Sequence, residues 1–223
     1  MINRFMNRIF ILILISAISI SITADNKPGM LEKYKVTGDQ MNQVYLTSSL
    51  SEISGIALTH DGRIFSHHDE ASTIYEIDKL TGTIVKWFNV GETVLTDDFE
   101  DMVIFGPNFY LVTSKGDLYR FFEQPDRGYS KYKKFSTGLS VKHDVEGLCY
   151  DPVTHTLLLA CKGSPDKKPD YKYVYAFDLN TKKLLSEPRF KLSLQEIKSS
   201  LCIKDFSPSG IAMHLASGTF YII

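Results

Sequence analysis

The fold is decided by the stretch Asp97-Asp98-Phe99-Glu100-Asp101-Met102-Val103-Ile104, in which a turn rich in carboxylates leads directly into an apolar strand. Three other segments follow the same pattern: Glu52-Ile53-Ser54-Gly55-Ile56-Ala57, Asp144-Val145-Glu146-Gly147-Leu148-Cys149 and Ser207-Pro208-Ser209-Gly210-Ile211-Ala212. We use the fourth residue of each segment as its anchor, which gives Gly55, Asp101, Gly147 and Gly210. The first three anchors are spaced 46 residues apart, and the last follows after 63. A period of this size indicates a repeat architecture.

Each complete repeat contains four short stretches of alternating apolar residues separated by turn signals, which is typical of an all-β fold. In the first repeat the predicted strands are Ile53–Leu58, Arg63–Ser66, Thr73–Ile77 and Thr83–Phe88. Four-stranded units repeated radially make a β-propeller. We therefore predict a propeller domain over residues 25–223, with blades at 52–90, 98–136, 144–192 and 207–223.

Two further elements follow from local signals. Ser193 and Glu196 have the spacing of a capping box, which predicts a short helix over Leu194–Leu201. Before the first repeat, Val44–Leu46 has the composition of a strand. The fourth repeat ends after two strands, in the apolar run Phe220–Ile223. An apolar edge of this kind is avoided in natural sheets, so we expect the chain to be truncated within the fourth blade of a longer propeller.

The first 24 residues have the pattern of a secretory signal peptide. Two arginines precede an apolar run from Ile9 to Ile22, which is too short to cross a bilayer comfortably. We expect export to the periplasm or the medium, or association with the envelope, and no stable membrane span after cleavage. An uncleaved N-terminal anchor is the alternative.

The overall charge and the cysteines exclude some classes of function. The formal net charge is −1, which gives no reason to expect nucleic acid as a partner. Cys149, Cys161 and Cys202 form no CxxC pair, so a structural zinc site is not supported.

The carboxylates at the repeat entries converge in the predicted fold. Positions three and one before the anchor point to the same side of a strand. The carboxylates at these positions are Glu52, Asp98, Glu100, Asp144 and Glu146. We call this set the carboxylate mouth. Such charges would repel strongly near a channel axis, and Ca²⁺ is the hard cation that prefers clustered carboxylates. Alternatively, the carboxylates cap backbone amides and bind water.

Other polar residues are predicted to surround the same mouth, because the second strand of each blade ends where the first begins. Counting from the anchors places Asp69, Lys115 and Lys162 there as ligand-binding candidates, and the adjacent Glu70 is a fourth candidate. With a bound cation, the two lysines would suit a small anionic ligand such as a phosphate ester. The weaker candidates for proton transfer are His67, His68 and His143, which are otherwise surface residues.

The ordered set of motifs resembles the SdiA-regulated family, which is related to phytase-like and esterase-like propellers. The motifs that carry the resemblance are Glu52–Ala57, His68-Asp69-Glu70, Asp98-Phe99-Glu100, Asp144–Leu148, Cys161-Lys162 and Pro208–His214. The resemblance implies an exported six-bladed propeller similar to calcium-binding ones. This chain departs from it by ending within the fourth blade and by having Asp101 where the other repeats have glycine.

Three classes of function are compatible with the sequence. The first is a metal-dependent hydrolase of a phosphate ester or a lactone. The second is a non-catalytic exported propeller that binds a ligand or a protein, and the sequence does not identify a protein partner. The third is an envelope protein in which the metal only stabilises the ring. Fold alone does not choose between them.

Overall fold

The structure is a computed structural model that describes residues 9–11, 43–165 and 170–223. Its regular elements are almost all β-strands. The strands are β1 (Ile9–Ile11), β2 (Ile53–Leu58), β3 (Ile64–His68), β4 (Thr73–Ile77), β5 (Ile84–Val90), β6 (Phe99–Phe105), β7 (Asn108–Thr113), β8 (Leu118–Phe122), β9 (Tyr129–Ser130), β10 (Lys133–Phe135), β11 (Val145–Asp151), β12 (Thr156–Cys161), β13 (Tyr171–Asp178), β14 (Lys183–Leu184), β15 (Phe190–Ser193), β16 (Ile211–His214) and β17 (Thr219–Ile222). The helical elements are a 3-10 turn at Ser48–Leu50 and α1 (Leu194–Leu201).

The strands form four sheets that follow the repeats. The first sheet has the order β2-β3-β4-β5, and the short β9 is added in parallel to β5. The second has the order β6-β7-β8-β10, and the third runs β11-β12-β13 with both β14 and β15 paired to β13. In the fourth sheet, β16 pairs with β17. Each of the first three sheets is thus an antiparallel meander, and we call the sheets the first to fourth blades.

The blades are arranged radially around their first strands. β2 packs beside β6, β6 beside β11, and β11 beside β16. Apolar side chains fill the space between neighbouring sheets. These clusters include Phe65, Phe88, Phe109 and Phe121 between the first two blades, Tyr110, Val112, Leu157 and Leu159 between the next two, and Leu158, Ala160, Ile211 and Phe220 between the last two. This is the β-propeller architecture that the repeats predict.

Neighbouring first strands approach one another closely at the anchors. A Cβ atom on Gly55 would stand 2.6 Å from Asp101 Oδ1 in the next blade. A Cβ atom on Gly147 would stand 2.8 Å from the backbone nitrogen of Ile211 and 2.9 Å from the carbonyl carbon of Gly210. Glycine is therefore required at Gly147 because two backbones meet there.

Several predicted elements are confirmed to the residue. β2 and β4 have the predicted bounds, and so does α1. Ser193 caps α1 as predicted, since its hydroxyl accepts a hydrogen bond of 3.3 Å from the Glu196 amide.

The predicted strand at Val44–Leu46 is wrong. Residues 43–47 have no regular structure. They cross the turn at Gly82, where a Cβ atom would meet Val44 and Tyr45, and the ring of Tyr45 is largely exposed. This contact with a turn gives residues 43–47 no strand to pair with, so they form no β-ladder.

The outer edge of β17 is paired, in contrast to the open edge expected from the sequence. β1 lies parallel to β17, with Ile9 level with Phe220 and Ile11 level with Ile222. Apart from β1, the predicted signal peptide of residues 1–24 lies outside the described residues. Within the described part of the chain, no helix has the length and apolar character needed to cross a bilayer.

Candidate functional site

A β-bulge at three of the four anchors shapes the site. The pairing register shifts between Ile53 and Ile56 in β2, between Phe99 and Asp101 in β6, and between Val145 and Gly147 in β11. A bulge changes the direction of a side chain relative to the regular alternation of the strand. The residues left without a partner opposite them in β6 and β11 are Glu100 and Glu146. These two carboxylates therefore occupy equivalent positions in neighbouring blades.

Backbone hydrogen bonds between blades fix the starts of the first strands. The Phe99 amide donates to the carbonyl of Asp69 at 2.6 Å, and the Val145 amide donates to the carbonyl of Ser114 at 2.8 Å. In each case the acceptor follows the second strand of the preceding blade. Asp98 directly precedes the donor Phe99, and Asp144 directly precedes the donor Val145. The two hydrogen bonds therefore hold Asp98 and Asp144 on this face.

The structure brings four carboxylates of the second and third blades together. The pKa of Glu100 is raised to about 7, first by burial and then by the charges of Glu146, Asp98 and Asp144. A hydrogen bond between Glu100 and Asp98 also favours the protonated form of Glu100. Glu52, in the first blade, is exposed and is not among these neighbouring charges.

Two lysines partly offset this negative charge. Lys162 Nζ lies 2.7 Å from Glu146 Oε1. Lys172, on β13, is buried and donates to the carbonyl of Lys162. Burial lowers the pKa of Lys172, while the charges of Asp205 and Asp144 act in the opposite direction. Sequence reasoning missed Lys172, because it lies within a strand and no motif marks it.

Lys115 is not opposite Asp98, where counting residues from the anchor places it. Ser114, not Lys115, is level with Asp98, and its amide donates to the Asp98 carbonyl at 3.0 Å. The hairpin of the second blade is one residue shorter than that of the first, in which Asp69 is level with Glu52. Lys115 forms an ion pair of 2.9 Å with Asp97. Both candidate lysines therefore pair with a neighbouring carboxylate.

The three histidines occupy different environments. His67 is fully buried within β3, and its Nδ1 lies 3.0 Å from the carbonyl of His68. His68 Nδ1 lies 2.9 Å from Asp69 Oδ1 and accepts a hydrogen bond of 3.1 Å from the amide of the exposed Glu70. His143 Nδ1 accepts a hydrogen bond of 3.1 Å from the Ser140 amide. Each ring is thus held by its own loop or strand.

The carboxylate mouth has the donor chemistry of a calcium site, since hard carboxylate oxygens are the ligands that Ca²⁺ prefers. Its geometry does not match a complete site. Across the described ranges, no group of three His, Cys, Asp or Glu side chains is arranged as a metal site requires. Water would have to complete the coordination of a cation here, as it often does for hard divalent ions.

The chain is similar in structure to several proteins of known structure. It aligns with the hydrazine synthase of Kuenenia stuttgartiensis at a TM-score of 0.45 and 15% identity, covering 64% of this chain and 38% of that chain. It aligns with streptogramin B lyase at a TM-score of 0.48 and 12% identity, covering 77% and 48%. The β-propeller domain of Cps50 (Swd1) from Myceliophteria thermophila gives a TM-score of 0.42 and 9% identity, covering 72% and 45%.

This chain spans less than half the length of each of these three proteins. No protein-family model matches it, and no curated protein does. The assignment of the fold as a β-propeller therefore rests on the blades described above.

Proposed function

We propose that this chain is an exported β-propeller of the SdiA-regulated type that binds Ca²⁺ at the carboxylate mouth. The observation that carries the proposal is the crowding of Asp98, Glu100, Asp144 and Glu146, which Lys162 and Lys172 do not fully neutralise. Like charges gathered in a partly buried site are costly unless a cation or protons relieve them. The expectation of export comes from the N-terminal sequence.

Glu100 and Glu146 are the residues we propose to hold the ion. They share the bulge position in neighbouring blades, so a cation between them would link β6 to β11. When bound, Ca²⁺ would balance the negative charge that Lys162 and Lys172 leave unneutralised. Asp98 and Asp144 would contribute through their charge or through bound water.

Ligand binding without catalysis is the form of this proposal that the contacts favour. Lys115 and Lys162 would have to leave Asp97 and Glu146 before they could hold a phosphate ester. A hydrolase of the phytase type needs cationic groups that are available to its substrate. In the described residues, the two lysines meant for that role are already paired.

Thermal unfolding with and without Ca²⁺ tests the proposal. Saturation to about 100 times Kd stabilises the native state by about 2.7 kcal/mol, which corresponds to a rise in Tm of about 5–10 °C for a domain of this size. We expect the rise in the full chain and its loss in Glu100→Gln/Glu146→Gln. The control Glu92→Gln/Glu187→Gln removes the same charge at exposed positions and should keep the rise.

An equal rise in both double variants would reject the site. Turnover is measured on the same samples with a phosphomonoester and a lactone. Hydrolysis that requires both Ca²⁺ and Glu100 would replace the non-catalytic form of the proposal with the hydrolase.

A further inference from the structure

A pocket occupies the opposite end of the channel from the carboxylate mouth. It has a volume of about 430 Å³, and all four first strands contribute to its walls. Most of the lining is apolar and includes Ile56, Met102, Phe105, Cys149, Ile211 and Met213. We call this cavity the axial pocket. Its volume and apolar walls are typical of a small-molecule site.

Asp101 is the acidic residue in the wall of the axial pocket. It occupies the position held by Gly55, Gly147 and Gly210 in the other repeats, so the carboxyl group is a feature of this blade alone. Its Oδ1 accepts a hydrogen bond of 2.8 Å from the Met102 amide, and its Oδ2 accepts one of 2.6 Å from the Leu148 amide in the next blade. Asp101 therefore joins the second blade to the third.

These two bonds do not exhaust what Asp101 can accept. An ionised carboxylate has about four acceptor positions, and the two amides use two of them. Neither amide carries a formal charge. In the part of the chain that the structure describes, no lysine, arginine or histidine lies at ion-pair distance from Asp101. Burial raises the pKa of Asp101 to about 7, so the pocket holds a carboxyl group that is only partly ionised near neutral pH and has no cationic partner among the described residues.

A second acceptor atom lies close to Gly55. His67 Nδ1 faces the His68 carbonyl at 3.0 Å, so Nδ1 carries the hydrogen and Nε2 is the acceptor. This Nε2 is buried and has no hydrogen-bond donor among the described residues. Asp101 Oδ1 and His67 Nε2 both lie within 2.8 Å of the point where a Cβ atom of Gly55 would stand. Two acceptor atoms therefore lie beside Gly55, next to the part of the pocket wall that Asp101 forms.

We propose that the axial pocket binds a small apolar molecule that carries a protonated amine, with the amine at Asp101 and the apolar part along Met102, Cys149 and Met213. An ammonium group would supply the missing positive charge and donate to the free acceptor positions of the carboxylate. An anionic molecule of the same shape would be repelled. This site is separate from the carboxylate mouth and does not depend on calcium binding there.

The alternative is that Asp101 serves only to join the blades. In that case the pocket would bind apolar molecules according to their size, without regard to a charged group. The two explanations differ in ligand selectivity, because only a binding carboxylate distinguishes an amine from an alcohol of the same length.

Calorimetric titration of the full chain in chelator tests the proposal with three matched probes: 4-phenylbutylamine, 4-phenylbutanol and 4-phenylbutyrate. A hydrogen bond between charged partners is worth enough for the amine to bind at least about tenfold more tightly than the alcohol. Asp101→Asn, which keeps the size of the side chain, should remove this preference. Asp205→Asn, at an exposed position after α1, should keep it.

A second variant covers the case in which Asp101→Asn fails to fold. Ala212→Phe adds bulk at an exposed lining position and should abolish binding of the amine and the alcohol alike. The proposal is overturned if amine and alcohol bind equally, if none of the probes binds, or if Ala212→Phe has no effect. It is also overturned if the preference disappears in Glu100→Gln/Glu146→Gln, because the amine would then be at the carboxylate mouth.

Discussion

Gly147 lies where the backbones of two neighbouring blades meet, so replacing it with alanine probes the radial packing directly. The added Cβ would stand 2.8 Å from Ile211 N, 2.9 Å from Gly210 C and 3.0 Å from Gly210 Cα. All three atoms belong to backbone, which cannot yield as a flexible side chain does. The first strands of the third and fourth blades would therefore have to separate.

The magnitude follows from two opposing effects. Overpacking of this kind costs about 1–3 kcal/mol. Alanine also reduces the conformational freedom of the unfolded chain, which returns about 0.4–1 kcal/mol. Because every contact at Gly147 is with backbone, we expect a net loss of about 2 kcal/mol and a fall in Tm of about 4–8 °C.

Gly210→Ala is the matched control, since Gly210 is the anchor of the next blade. Its added Cβ would meet only the side chain of Ile223, at 3.2 Å, and Ile223 is partly exposed and able to move. We expect its stability to stay within about 1 kcal/mol of the parent chain. Urea unfolding followed by circular dichroism and by the fluorescence of Trp87 measures both variants. Equal stability of Gly147→Ala and the parent chain would refute the close approach of the blades, and so would an equal loss in Gly210→Ala.

Two other predictions concern charged groups. The pKa of Glu100 is raised from 4.5 to about 7 in the folded chain, so without Ca²⁺ the free energy of unfolding should fall as pH rises through this interval. Glu100→Gln should flatten that fall in thermal unfolding between pH 4.5 and 8, and an unchanged slope would contradict the crowding of carboxylates. Arg63 of the first blade binds Glu123 of the second through contacts of 2.6 and 3.0 Å, and Lys86 also contacts Glu123. Since these groups are partly exposed, Glu123→Gln should cost only about 1 kcal/mol in urea unfolding, more than Gln124→Ala, and equal values would contradict the inter-blade ion pair.

The fold could be predicted because local and repeated signals agree. The 46-residue spacing located β2, β6 and β11, and the Ser193–Glu196 pair located α1. The prediction of a strand at Val44–Leu46 was wrong because a composition typical of strands does not ensure that a neighbouring strand is available for pairing. The pairing of β9 with β5 was invisible for a related reason, since it joins two blades and depends on how they pack.

The site was harder to predict than the fold. Of the five carboxylates at the repeat entries, Asp98, Glu100, Asp144 and Glu146 influence one another, whereas Glu52 is not among these charges. Residue counting also cannot show a hairpin that is one residue shorter. Lys115 was therefore placed where Ser114 lies. The burial of His67 and Lys172 depends on neighbouring strands and has no local signature. The role of Asp101 also required the structure, because its partner Leu148 is in the next blade.

Direct measurement of bound calcium tests the central functional claim. Equilibrium dialysis of the full chain against radioactive Ca²⁺ should show saturable, stoichiometric binding. Glu100→Gln/Glu146→Gln should lose it, and Glu92→Gln/Glu187→Gln should retain it. Absence of saturable binding in the parent chain, or undiminished binding in the Glu100→Gln/Glu146→Gln variant, would contradict a calcium site at the carboxylate mouth.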